Sequence, residues 1–334
     1  MSNATASLAR DPDRSERANR IGIAAIVATA ACFVVGDVCV KLATQSVPIG
    51  ELVLLRGIVS TLLMLLLAIR TGALVHARRA LTGVMTARTT CDIAATHLFF
   101  TAISMMPIAD ATAIGQFTPL AVTAAAAILL GERVGWRRWL ATLVGLVGVL
   151  IIVRPGSSSF DWAALLVIGC VLSVAVRDVL TRQIADDIPV PIVALITLGA
   201  VTVSGLARGL AEAWVWPDLT GWLLIVAAAV ANCGGYYCIV IAMRNGDIAV
   251  VSPFRYTAIL FAVLMGYIVF GETPDALTFL GIAIVIGAGL YTLHRERVRG
   301  VLAAATGRIR VSHCRRIGSA PRPVIAGDGP HEAG

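Results

Sequence analysis

Arg88 and Asp92 stand four residues apart in a stretch that is otherwise almost wholly apolar. A helix puts residues at that spacing on one face, where guanidinium and carboxylate neutralise each other. Such a pair can line a cavity that binds a polar solute or passes a proton. It can equally be a structural ion pair that lowers the cost of charge among apolar residues, and both readings stand. Arg56 is a second cation in apolar sequence, shortly before the run at 62–67, with Glu51 near the start of the same stretch. It divides evenly between solute binding and structural pairing. Arg255 and Tyr256 follow Pro253. Arginine offers a planar fork suited to carboxylate or phosphate, and the tyrosine adds a ring and a hydroxyl. The competing reading is an anchor at a membrane interface.

Other polar residues divide in the same way. Asp37 precedes Lys41 by four residues and Asp178 precedes Arg182 by four, with Arg177 a further cation. These pairs suit gates at opposite membrane faces, or plain ion pairs at helix ends. Gln116 and Tyr236 are neutral candidates for solute contact, whereas Asn232 beside Gly234-Gly235 favours helix packing. His97 has the chemistry of a proton relay, but a lone histidine among apolar residues is more often packed. Glu132 and Glu272 are expected to cap or pair locally. There is no HExxH, no GxSxG and no repeated Cys/His spacing. No metal, cofactor or enzymatic chemistry is therefore expected. The seven cysteines read as small packing residues. No ring of filter residues marks a channel.

The elements that carry these residues follow from hydropathy. Of 334 residues, 58% are hydrophobic and 14% charged, against about a quarter charged in soluble domains. Apolar runs recur at 21–40, 50–69, 81–104, 111–130, 136–153, 162–181, 188–206, 219–242, 250–270 and 277–292. Each approaches the roughly 20 residues of a spanning helix. Stretches such as 124–130 are apolar on every face, unlike the alternating strands of a barrel. The reading is an all-α integral membrane protein of ten transmembrane helices. The first run follows Arg10, Arg14, Arg17 and Arg20, contains Asp37 and lacks a cleavage site, so it reads as a retained helix. With the N-terminus inside, twenty basic side chains fall in cytoplasmic segments and three in outer loops. That asymmetry puts both termini in the cytoplasm of a bacterial inner-membrane protein. The net charge of +7 therefore reports orientation rather than nucleic-acid binding.

Two short matches recur at one separation. Asp37-Val-Cys-Val-Lys41 is matched by Asp178-Val-Leu-Thr-Arg182, and Leu130-Gly131-Glu132 by Phe270-Gly271-Glu272, at offsets of 141 and 140. Five helices per half is odd, so the second half enters the membrane upside down. Such inverted repeats place the solute site near the midplane. The boundaries are a leader at 1–20, repeats at 21–153 and 154–293, and a basic tail at 294–334 expected to be disordered.

Pro107-Ile-Ala-Asp110, Leu130-Gly-Glu-Arg133, Trp136-Arg-Arg-Trp139, Gly145-Leu-Val-Gly148 and Val153-Arg-Pro-Gly156 resemble the first EamA domain of the drug/metabolite transporter superfamily. Gly271-Glu272 with Gly281 and Gly287 resembles the second. The run Ser252-Pro-Phe-Arg255-Tyr256-Thr-Ala is similar to a branch with S-adenosylmethionine and riboflavin importers. The resemblance implies a secondary carrier of a small organic metabolite, working by alternating access. A proton-coupled exporter of amino acids or drugs is the alternative, and a channel or intramembrane enzyme a remote one. The expected partners are a small-molecule substrate and membrane lipids, in a monomer or homodimer. Arg88 and Asp92 ionised apart would suit proton coupling. Paired, they would suit a facilitator.

Overall fold

The computed structural model describes residues 12–131, 135–154, 161–185, 188–245, 251–292 and 294. Glu132, the start of the leader and the tail beyond 294 lie outside the described residues, within which all regular structure is helical. The helices are α1 Pro12–Ala43, α2 Ile49–Arg70, the short α3 Ala77–Ala80, α4 Gly83–Met105, α5 Ile108–Gly115, α6 Thr118–Leu129, α7 Trp136–Val153, α8 Ala163–Thr181, α9 Val190–Gly209, α10 Leu219–Asn245, α11 Thr257–Met265 and α12 Ala276–Thr292. Seven spans are long and apolar enough to cross a membrane, one of them formed by α5 and α6 together. Trp139–Val153 and Ala276–Thr292 are shorter apolar helices.

Breakers in the sequence set the ends. Pro48, Pro107 and Pro189 stand immediately before α2, α5 and α9, where a residue without an N–H costs nothing. The side chain of Thr82 accepts from Met85 N (3.2 Å) to cap α4, and Asp161 accepts from Ala163 N (2.8 Å) to cap α8. Gly131 and Gly271 have φ of 65° and 67°, the left-handed conformation that glycine adopts at helix ends without strain. Between α5 and α6 the chain turns at Gln116 and Phe117, so the single run expected at 111–130 is a broken helix. A π-helical turn, Gly266–Phe270, extends α11.

Outward faces carry apolar stripes, as on α7 with Leu140, Leu143, Val147 and Leu150 exposed. Such faces suit hydrocarbon rather than water. Inward packing is repetitive. α1 lies along α10, α2 along α9 and α4 along α8. A shift by half the chain turns the first pairing into the third and the second into itself. The contacts α6 with α8 and α1 with α11 are related in the same way. At the α2–α9 crossing Thr61 and Thr202, 141 residues apart, share a hydrogen bond of 3.1 Å.

That crossing is close because glycines make it. A Cβ at Gly205 would lie 2.6 Å from Leu54 N. We expect Gly205→Ala to lower stability in detergent by about 1–3 kcal/mol as backbones are forced apart. Gly199→Ala, with nothing within 4 Å of a new Cβ, should be neutral or slightly stabilising. Equal melting temperatures for the two variants would show that the close approach is dispensable.

Candidate functional site

The polar side chains of the spans gather in two groups joined by one tyrosine. The first group starts on α4. Asp92 Oδ2 lies 3.4 Å from Arg88 Nη1, and Asp92 Oδ1 accepts from Arg177 Nη1 of α8 at 2.7 Å. Arg177 also donates twice to Asp178 Oδ1, at 2.9 Å from Nε and 2.8 Å from Nη2. Arg88 donates to Thr181 Oγ1 (2.9 Å) and to Thr197 Oγ1 of α9 (2.5 Å). Two arginines and two aspartates from α4 and α8 thus form one neutral chain anchored by two threonines. All are buried or half-buried except Asp178, whose side chain is more open. Asp92 is paired on both oxygens, and that matches the paired alternative of the sequence reading.

The second group lies on α1 and α2. Arg56 stacks over the Phe100 ring at 5.0 Å, and its buried Nε has no hydrogen-bond partner among the described residues. Its electrostatic neighbours are Asp37, Tyr236 and Cys233. Tyr236 of α10 links the groups. Asp92, Arg177, Arg56 and Arg88 all act on its hydroxyl, yet the residue is 43% exposed. A side chain ringed by charges and still exposed faces an internal chamber, not lipid. Phe33 meets it edge to face at 5.6 Å. Phe33 reaches α10 because Gly235 has no side chain there to block it.

Lys41 and Asp37 do not form the expected pair. Lys41 Nζ bonds Glu272 Oε1 at 2.6 Å and Met106 O at 2.9 Å, and lies 4.6 Å from the Phe270 ring. Glu272 Oε2 also accepts from Ile108 N (3.2 Å). Glu272 was expected to act locally. Its partners are instead 231 and 164 residues away, because the left-handed Gly271 turns the chain back onto α1 and α5. Asp178 likewise turns to Arg177 rather than to Arg182, the residue at which α8 ends. Next to Glu272 a cavity of about 380 Å³ is lined by Asp110, Arg154, Asp161 and Asp275 among others. The Arg154 guanidinium bonded to Asp275, with Thr278 N–H at 2.9 Å, holds that carboxyl well below the ordinary range. The pair is largely exposed and stabilises little.

The remaining candidates lie apart. Tyr256 is buried, its hydroxyl unpartnered, against Gly289 of α12, while Arg255 is exposed. Neither touches the chamber groups. Gln116 sits at the α5–α6 break. His97 Nε2 meets Ser204 Oγ at 3.0 Å, a packed histidine between α4 and α9. Sequence reasoning had Arg177 only as a spare cation and did not single out Thr181, Thr197, Phe33 or Phe100. The offset of 141 residues could have found Thr197, which is the repeat mate of Arg56. A double-mutant cycle of Asp92→Asn and Arg177→Gln, followed by thermal unfolding, should give a coupling of about 1–3 kcal/mol. Additive effects would mean that the two charges do not act as one unit.

Comparison with known proteins agrees with this architecture. A model described as "EamA-like transporter family" matches residues 20–154 and again 161–293. A riboflavin transporter of Vibrio cholerae is 32% identical over 54% of this chain and 61% of its own length. An S-adenosylmethionine uptake transporter of Rickettsia bellii is 24% identical over 58% of this chain and 67% of its own. The matched region thus spans about two thirds or less of these relatives. The pseudopaline exporter CntI of Pseudomonas aeruginosa is 28% identical over 80% of this chain and 94% of its own. A solved crystal structure, 24% identical with a TM-score of 0.58, shares the fold over 85% of this chain and 99% of that one. A multi-pass helical protein with two copies of this unit, covering most of its length, belongs to the EamA-like transporter family.

Proposed function

We propose that this protein is a secondary carrier of a small polar metabolite in a bacterial inner membrane. In this reading ten spans form two inverted five-helix halves, with both termini cytoplasmic, and the halves alternate access to a midplane chamber. The pairing pattern that maps onto itself under a half-chain shift supports the repeat, and the arginine asymmetry supports the orientation. The observation that carries the function is the chamber itself. Arg56 and Asp37 from the first half, Arg177 from the second and an exposed Tyr236 share one enclosed space. Charge at such depth costs about 2.5–3.5 kcal/mol per residue on insertion scales, so it is kept where it binds something. The solute is of the kind that the relatives carry, riboflavin or S-adenosylmethionine. Export is the second reading, favoured by the nearly full-length match to the pseudopaline exporter.

Two ionic sets guard the chamber. In the proposed orientation Lys41–Glu272, with its tie to Ile108 N, closes the outer side. The Arg88–Asp92–Arg177–Asp178 chain closes the inner side. Transport opens them in turn. Asp92 already serves two guanidiniums and has little use for a proton, so a facilitator or exchanger is favoured over proton coupling through this residue.

Flux of radiolabelled riboflavin and S-adenosylmethionine into vesicles bearing the purified protein should saturate and show counterflow. Unsaturable flux would remove the carrier reading. Glu272→Gln should slow exchange about tenfold, the equivalent of about 1.4 kcal/mol. Lys41→Glu combined with Glu272→Lys should recover part of that loss. Asp92→Asn should leave the pH dependence of flux unchanged, and an altered profile would restore Asp92 as a proton site.

A further inference from the structure

The two halves treat equivalent positions differently. With the 141-residue offset of Thr61 and Thr202, Asp37 corresponds to Asp178, Arg56 to Thr197 and Gly36 to Arg177. In the second half the protein's own guanidiniums occupy the site. Arg177 donates two hydrogen bonds to Asp178, and Arg88 donates one to Thr197. In the first half glycine stands where Arg177 would be. A Cβ on Gly36 would meet Ala228 O and Ala231 only at ordinary contact distance, 3.6 and 3.7 Å. Lys41, the other cation available to Asp37, is engaged by Glu272. Among the described residues Asp37 makes no direct hydrogen bond or ion pair. It feels Arg56 only through space. Arg56 keeps its own Nε unpartnered.

Resting on the carrier reading above, we propose that Asp37 and Arg56 read the edge of a planar heterocycle that carries an N–H donor beside an acceptor. Asp37 takes the donor, in the role that Arg177 fills for Asp178. Arg56 gives hydrogen bonds to the acceptor. The exposed Tyr236 ring, braced by Phe33, stacks on the ring face. The planar, delocalised group seen on Asp178 is the reason to choose a heterocycle over an alkylammonium. A flat N–H edge reproduces the guanidinium geometry and a tetrahedral ammonium does not.

The test uses the full-length protein in detergent, with binding followed by calorimetry and by thermal shift. The probes are adenosine and uridine, their donor-blocked forms N6,N6-dimethyladenosine and 3-methyluridine, and the ringless zwitterion homoserine. The donor-bearing probes should bind. Donor-blocked probes should bind about tenfold more weakly or worse, since a hydrogen bond to a charged group contributes about 1.5–3 kcal/mol. Homoserine should not bind. Asp37→Ala and Arg56→Gln should each lose the discrimination while keeping an unliganded melting temperature close to that of the parent. Gly36→Arg should place a guanidinium on Asp37 and abolish binding in a protein that still folds. Equal binding of blocked and unblocked probes, binding of none of them, or undiminished binding in Gly36→Arg would each overturn the proposal. The two readings fail separately. Saturable vesicle flux without nucleoside binding leaves the carrier and removes this site. Binding without flux removes the carrier alone.

Discussion

Charge in a hydrocarbon layer has to be neutralised from somewhere, and in this protein the partner sits on another helix. Asp92 of α4 would be costly alone and is costly still with Arg88 only, since two arginines and two aspartates are present and the spare charges need homes. The chain Arg88–Asp92–Arg177–Asp178 closes that account across α4 and α8. The same rule places Lys41 on Glu272. Because partners come from both halves, neutrality is a property of the assembled bundle rather than of any single span. The packing of α4 on α8 and of α1 against α11 is fixed with it.

Glycine makes this exchange between helices sterically possible. Gly205 admits the backbone of α2, and Gly148 and Gly281 let α7 and α12 meet. Gly235 admits Phe33, and so sets the brace on which Tyr236 leans. Lipid offers helices no hydrophobic drive to associate, so close van der Waals approach has to supply it. The positions that lack a side chain are therefore those that align the polar ones.

Much of the fold was legible from hydropathy because the membrane enforces helix length and satisfied backbone. Each expected apolar run falls on helix, and the family resemblance carried by residues such as Gly145, Gly148 and Gly271 holds. The break at Gln116 was not legible, since Ala113 to Ala121 are nearly uniform in polarity and no helix-interior breaker precedes Pro119. The candidate site was legible by residue type and not by partner. Spacing of four residues suggested Asp37 with Lys41, but long side chains at a helix end choose among neighbours that sequence distance does not reveal. Glu272 is 231 residues from Lys41. Arg88 and Asp92 were paired correctly, though the spacing gave no hint that Arg177 would share the carboxylate. Arg255 and Tyr256, adjacent in sequence, point to different surroundings because adjacent helical residues never share a face.

The outer ends of α2 and α9 have a further consequence. Glu51, only 1% exposed, accepts Val215 N at 3.0 Å, and Glu212 accepts Gly50 N at 2.7 Å while bonded to Arg208. Each acid is clasped by the backbone of the opposite segment, like two hands gripping each other's wrists. Sliding either helix along the other by one turn would strip both carboxylates of their donors in a dry place. The two axial helices are therefore spliced at that end into a single strut, and the bundle's freedom is left to the segments arranged around it.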